Sequence, residues 1–342
     1  MTRSSFITSY LLTLCLFSGS FFIPSVSFGN DSEVKKKVEA PSTDDSQTTI
    51  KKPAMPNEQW AYQSMAALRY NPLGLQDEFF IGYKKKLYKQ PKNELLFGKS
   101  YWWAGLIGRA SPQFVNGGFF VKALPIAILE LQASYTRVQA LTEAAKLPDF
   151  FTQGTRDAVA STRSSRVPDG NIITNGWQAS LQARLQAKVG NIAIRTTNLF
   201  RYFDLNNEGS AIKEDLFYDQ TLDLVTPLQS WVYQNDTDLL YADSNKPWVV
   251  GARYTFSKSL ASTDDPLIAA DKIYDIQRAG FLFAWKFAAP MTADGLEAKK
   301  RHALIVLSQW HLDHEFRTGD SMNQAIPYFA IVYSLAGRIG DD

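Results

Sequence analysis

Trp177-Gln178-Ala179-Ser180-Leu181-Gln182-Ala183-Arg184-Leu185-Gln186-Ala187-Lys188-Val189 is the stretch that decides the fold. Apolar side chains stand at every odd position and polar ones at every even position. On a β-strand, residues two apart share a face, so this pattern divides cleanly into an apolar and a polar side. A helix would scatter the same apolar residues around its whole circumference. Ala and Gln favour helices, so here pattern overrides propensity. Gly190-Asn191 follows at once, and both residues suit the positive φ of a two-residue hairpin turn. Residues 192–204 then read as the antiparallel neighbour.

Working outward, the same alternation recurs. Phe281, Phe283, Trp285 and Phe287 share a face, as do Leu304, Val306, Ser308, Trp310 and Leu312. Trp248, Val250, Ala252, Tyr254 and Phe256 form a third set, and Leu129, Leu131, Ala133 and Tyr135 a fourth. These strands are long, often 12 residues or more, whereas soluble sheets favour about 5–6. A strand crossing a membrane needs about 9–11. The expected fold is all-β: an antiparallel transmembrane β-barrel of about 10–12 strands, apolar outside and polar inside. Tyr101-Trp102-Trp103, Phe200 to Phe203 and Trp231 to Tyr233 are expected at the interfacial girdles.

The rest of the 342-residue chain is compatible with this. With 22 Phe, 15 Tyr and 8 Trp it is too aromatic to be disordered throughout. Past residue 30 no apolar run reaches the ~18–20 residues of a membrane helix. Lys and Arg number 36 against 34 acidic residues, which gives no signature for nucleic acid. The single Cys rules out a disulfide within the chain.

The N-terminus reads as an export signal over residues 1–29. Arg3 is its only charge, an apolar stretch runs from Tyr10 to Phe22, and Ser27 and Gly29 form a small-x-small cleavage site. Cys15 lies inside that stretch. Leu14 before it is too large for a lipoprotein box, so Cys15 is expected to leave with the signal. Residues 30–58, with Lys35-Lys36-Lys37 and Asp44-Asp45 among Pro, Ser and Thr, read as a disordered linker. Residues 59–74 read as a short helix or connector, because Trp60, Ser64 and Leu68 lie along one stripe. The barrel is expected over 75–342.

The export signal, the Trp177–Val189 alternation and the aromatic C-terminal strand resemble a Gram-negative outer-membrane β-barrel protein, at the level of the class and over about residues 75–338. The resemblance implies outer-membrane localisation. It implies outer-membrane lipids and the barrel-assembly machinery as partners, and no nucleic acid. The class usually closes on an aromatic residue that the assembly machinery reads, whereas this chain ends Arg338-Ile339-Gly340-Asp341-Asp342.

Strand parity bears on the count. Twelve segments alternate: 77–89, 95–110, 115–124, 126–138, 174–189, 192–204, 214–226, 229–242, 247–258, 272–288, 302–316 and 324–338. With both chain ends periplasmic, that set places the long connection 140–173 on the periplasmic side and the tight Gly190-Asn191 turn outside. Barrels of this class do the reverse. Merging one early pair and moving 214–226 into an outer loop leaves ten strands, which the parity slightly favours.

The chemistry is sparse. No Gly-x-Ser-x-Gly elbow, phosphate loop or Cys/His metal spacing occurs. His311 and His314 point to opposite faces if both lie on one strand, which argues against a shared metal, and no cofactor is expected. His311 and Asp313 share a face. Ser308 has the parity of His302 and His314, but each is about 20 Å away along an extended chain. The candidate lumen-lining residues are Gln178, Gln182, Arg184, Gln186, Lys188, Arg253, Lys286, His311 and Asp313, with Glu130 and Thr255 beside them. Ten to twelve strands lie between a filled barrel of eight and an open one of sixteen, so a narrow or plugged pore is expected. The leading reading is a non-enzymatic barrel, a narrow pore or surface-exposed membrane scaffold. The alternative is a barrel-borne lipid hydrolase, and a secreted soluble β-protein is third. On this reading Leu181→Arg places a charge in lipid, while Arg184→Gln is expected to be well tolerated.

The export reading predicts a mature protein beginning near Asn30 and recovered with the outer membrane. N-terminal sequencing of membrane-extracted protein checks this, and an intact Met1 would refute it.

Overall fold

The computed structural model describes residues 56–71, 74–89, 91–112, 114–140, 173–207, 216–219, 221–261, 275–287, 300–314 and 325–339. Residues 1–29, the linker up to residue 55 and the connection 141–172 lie outside the described residues.

Twelve strands close into one antiparallel barrel. They are β1 (Glu58–Tyr70), β2 (Gly74–Lys86), β3 (Tyr101–Ala110), β4 (Phe114–Ile126), β5 (Leu129–Ala140), β6 (Ile173–Val189) and β7 (Ile192–Asn207). After two short strands, β8 (Leu216–Asp219) and β9 (Leu224–Pro227), come β10 (Gln229–Tyr241), β11 (Trp248–Ser259), β12 (Ile276–Lys286), β13 (Lys300–Asp313) and β14 (Tyr328–Ile339). Neighbours in the wall follow chain order, and β1 pairs with β14 to shut the seam, with Trp60 opposite Ile339. Closure leaves no sheet edge for lipid to leave unpaired. β8 and β9 form a separate two-stranded sheet.

The count is therefore twelve rather than ten, and the set differs from that read in the sequence. Residues 58–70 are a strand, not a short helix or connector. Trp60, Ser64 and Leu68 are four apart, a spacing that satisfies a period of two as well as one of 3.6. Met65, Ala67 and Arg69 between them turn inward and are buried. Segment 214–226 leaves the wall, as expected of a loop, but two of its pieces pair with each other. Adding one strand and removing one restores parity without merging any pair. Connection 141–172 now leaves the barrel at the end opposite Glu58 and Ile339. The Gly190-Asn191 turn, with Gly190 at φ +58°, lies at the same end as those residues.

Burial runs opposite to that of a soluble protein. Leu181 and Leu185 are 55% and 48% exposed, while Arg184 between them is 0% exposed. Phe119, Val121, Leu131, Ile194, Leu239 and Phe281 are likewise exposed. The apolar outer face fits hydrocarbon, the only solvent in which such a surface is favourable.

Aromatic rings mark both borders of that face. Tyr135, Trp177, Tyr202 and Trp231 make a continuous row at one end, with centroids 5.2–5.5 Å apart. Trp60, Tyr83 and Trp102, at 6.2 and 5.8 Å, belong to the other end, as do Tyr241 and Trp248. Of the clusters expected at the girdles, Trp103 and Phe203 instead turn inward and are buried. Adjacent residues of a strand cannot share a face, so only half of such a cluster can meet lipid.

One outward patch breaks the apolar rule. Thr196 and Asn198 on β7 face Thr237 and Asn235 on β10. They bond to one another. The Asn235 amide donates to Thr196 Oγ1 at 2.8 Å and to Asn198 Oδ1 at 3.0 Å. The Tyr233 hydroxyl donates to Asn198 Oδ1 at 2.7 Å.

Long connections lie outside in this class, which makes the topology testable by thiol labelling. With Cys15 replaced by Ser, Ser164→Cys should react with an impermeant reagent on whole cells. Asn191→Cys, in the tight turn, should react only after lysis. The reverse pattern would invert the barrel.

Candidate functional site

The interior of the barrel gathers buried charged groups. Of the residues expected to line it, Gln178, Arg184, Arg253 and His311 are buried inside the wall. Gln182, Gln186, Lys188 and Lys286 turn the same way and are partly exposed, with Gln186 Nε2 donating to the Ala127 carbonyl at 3.1 Å. Asp313 is exposed at the end of β13 and does not pair with His311, whose partner is Asp223.

Inside, several charges are paired. Arg184 pairs with Glu130, which also accepts from the Tyr101 hydroxyl at 2.9 Å. Asp238 is held between two guanidiniums. Arg195 Nε donates to it at 2.7 Å and Arg253 Nε at 2.6 Å. Arg253 extends the network to Asp236 at 3.6 Å, and Thr255 donates to Asp236 at 2.6 Å. Arg109 pairs with Glu78. Lys122 lies 5.2 Å and 5.4 Å from the ring centroids of Phe80 and Trp103, in range of their π faces. Charges taken out of water persist only where such partners replace the lost hydration.

The interior is not uniformly polar, which corrects the simple apolar-outside, polar-inside expectation. Met65, Phe80, Trp103, Ile107, Phe120, Leu282, Ile305 and Leu307 form a buried apolar cluster. A twelve-stranded wall is wide enough to need filling and narrow enough for side chains to fill it.

The hairpin β8–β9 completes the filling. Arg69 on β1 reaches the Thr221 carbonyl at 3.4 Å, and Arg201 on β7 reaches Asp219 at 3.3 Å and Thr221 Oγ1 at 3.0 Å. Thr226 Oγ1 is 2.8 Å from Ser259 Oγ on β11. Contacts to inward side chains all around the wall place the hairpin within the lumen. Leu222, Leu224 and Leu228 are buried against Val138, Leu199, Phe203, Val232 and Ile276. The segment expected in an outer loop is thus a lumen plug. Asp219 caps the turn, accepting from the Thr221 amide at 2.7 Å, and Asp223 follows at φ +58°.

Asp223 carries the hairpin's most concentrated contact. His311 Nε2 and His314 Nε2 each lie 3.3 Å from Asp223 Oδ2, and Arg278 Nη1 lies 3.7 Å from it. Opposite faces were expected for the two histidines. β13 ends at Asp313, so His314 is free of strand parity and turns back inside. His302, the third histidine, faces outward and pairs with the Tyr333 hydroxyl. Sequence reasoning missed Asp219, Asp223 and Asp238 as interior charges. Asp238 was legible, since it shares parity with Val232 and Leu240 on an alternating strand.

No protein-family model matches the chain, and no curated protein sequence matches it. Among solved structures it is similar to the KdgM porin, at 5% identity and TM-score 0.35, over 82% of this chain and 99% of that one. It is similar to the translocator domain of the autotransporter NalP from Neisseria meningitidis, at 10% identity and TM-score 0.38, over 83% and 89%. It is also similar to LpxR from Salmonella typhimurium, at 10% identity and TM-score 0.36, over 82% and 100%. At such values none of them lends this chain a role.

Burial changes what is expected of Arg184. A polar lumen alone would tolerate Arg184→Gln, but Arg184 is wholly buried and its loss strips Glu130 of its cation. Breaking a buried pair from one side costs about 3–5 kcal/mol. Leu181→Arg, against lipid, costs about 2–4 kcal/mol near the midplane. Urea unfolding in bilayers should therefore find both variants strongly destabilised. Adding Glu130→Gln should recover much of the loss in Arg184→Gln and nothing in Leu181→Arg. An Arg184→Gln variant as stable as wild type would mean that the pair does not form.

Proposed function

We propose that the protein is an integral barrel of a Gram-negative outer membrane, closed to ions at rest, that serves as a membrane scaffold for its long surface connections. The observation that carries this reading is the filled interior. Arg184, Arg195, Arg253 and Asp238 are almost wholly buried and paired, and the hairpin β8–β9 stands across the remaining space. Ion passage needs a hydrated, continuous path with sites weak enough to release the ion. Matched charges in van der Waals contact offer neither. Between the two forms of the non-enzymatic reading, the scaffold is favoured over the open narrow pore.

Its partners are outer-membrane lipids on the exposed apolar face and, during insertion, the barrel-assembly machinery. The lipid-hydrolase alternative gains nothing from the geometry. Ser308 faces outward, whereas His311 and His314 face inward on Asp223, and His302 is engaged with Tyr333.

Planar-bilayer recordings test the proposal. The purified wild-type barrel should show no steady conductance at moderate voltage. Replacing residues 216–227 by a short Gly-Ser linker should produce open events, because one side of the filling is removed. Steady ohmic conductance from the wild type would make it a pore.

A further inference from the structure

Three side chains of the plug contact have the chemistry of metal ligands. Asp223 sits at the hairpin turn, His311 on the inward face of β13 and His314 just beyond its end. All three are buried, and their ligand atoms lie within 4.8 Å of one another. Each imidazole Nε2 is 3.3 Å from the same carboxylate oxygen. Zinc binds imidazole nitrogen and carboxylate oxygen at about 2.0–2.2 Å, so two ligand atoms of a tetrahedral site stand about 3.3–3.5 Å apart. The two nitrogen–oxygen separations already have that value. They are also longer than the ~2.7–2.9 Å of a good charge-assisted hydrogen bond. We propose that Asp223, His311 and His314 form a site for a divalent transition metal of the zinc class, which clips the plug hairpin to the barrel wall.

The donor set selects the metal class. Two imidazoles and one carboxylate suit Zn²⁺ or Co²⁺, whereas Ca²⁺ and Mg²⁺ require oxygen donors throughout. Three protein ligands leave a fourth position for water. The ligands come from separate parts of the chain, 88 residues apart for His311 and Asp223. A bound ion would therefore cross-link hairpin and wall, which are otherwise joined only through the chain and weaker contacts.

One neighbour works against the ion. The Arg278 guanidinium approaches the same Asp223 oxygen at 3.7 Å and lies 4.3 Å over the Tyr328 ring. A cation at the site would have to displace it from the carboxylate, and the ring offers it a second partner. Arg278 therefore tunes affinity downward, and its removal should tighten binding.

The test uses the full mature chain, made without a polyhistidine tag, folded in detergent and stripped with chelator. Co²⁺ is the probe. One equivalent should give the visible d–d bands of a four-coordinate site, and Zn²⁺ but not Ca²⁺ or Mg²⁺ should bleach them. His311→Gln and His314→Gln should each weaken binding at least tenfold, and His302→Gln should leave it unchanged. Arg278→Gln should bind more tightly, which a purely structural cluster would not show. Folding of each variant is verified by its heat-modifiable mobility on gels. No bands in the folded wild type, or bands that persist in a folded His311→Gln, His314→Gln double variant, would overturn the site.

Discussion

In hydrocarbon every backbone N–H and C=O must find its partner within the protein, and the rest of this structure follows from that constraint. A sheet satisfies it only by closing. Closure fixes an antiparallel order of twelve strands and brings Trp60 against Ile339. Once the ladder is fixed, each side chain has one of two destinations. From Trp177 to Val189 odd residues of β6 meet lipid and even ones the interior, and a slip of one residue would swap the faces of Leu181 and Arg184. The charge on Arg184 thus helps to hold the register, because the alternative places it in the bilayer.

Burial likewise explains why guanidiniums and carboxylates of the interior stand together. A water-filled channel lets charges stay hydrated and independent. This interior has traded water for contact, so each guanidinium needs a carboxylate within reach. Asp238 serves both Arg195 and Arg253, and Glu130 serves Arg184 and Tyr101. Rings contribute too, as around Lys122.

Much of this was legible in the sequence. Period-two alternation pointed to the barrel and divided residues 177–189 of β6 between two faces, because one face must be apolar throughout. It failed where two periods coincide. The spacing of Trp60, Ser64 and Leu68 is common to helix and strand, and β1 was lost there. It failed again where a residue leaves the strand, since parity says nothing of His314 once β13 has ended. The plug was hidden for another reason. A four-residue strand such as β8 carries too few alternations to be recognised, and its inward fold depends on Arg69, Arg201 and Ser259, which are far away in sequence.

The hairpin β8–β9 shares no ladder with the wall, although it occupies the wall's interior. The protein therefore consists of a container and a content whose backbones are laddered separately and whose side chains meet. Changes in residues 216–227 can alter what the cylinder holds without shifting the register of a single strand pair. A one-residue insertion or deletion in a wall strand, by contrast, carries the side chains beyond it to the opposite face. What the cylinder holds can thus change residue by residue, so long as Arg69, Arg201 and His311 of the wall keep partners, while the cylinder itself keeps its register.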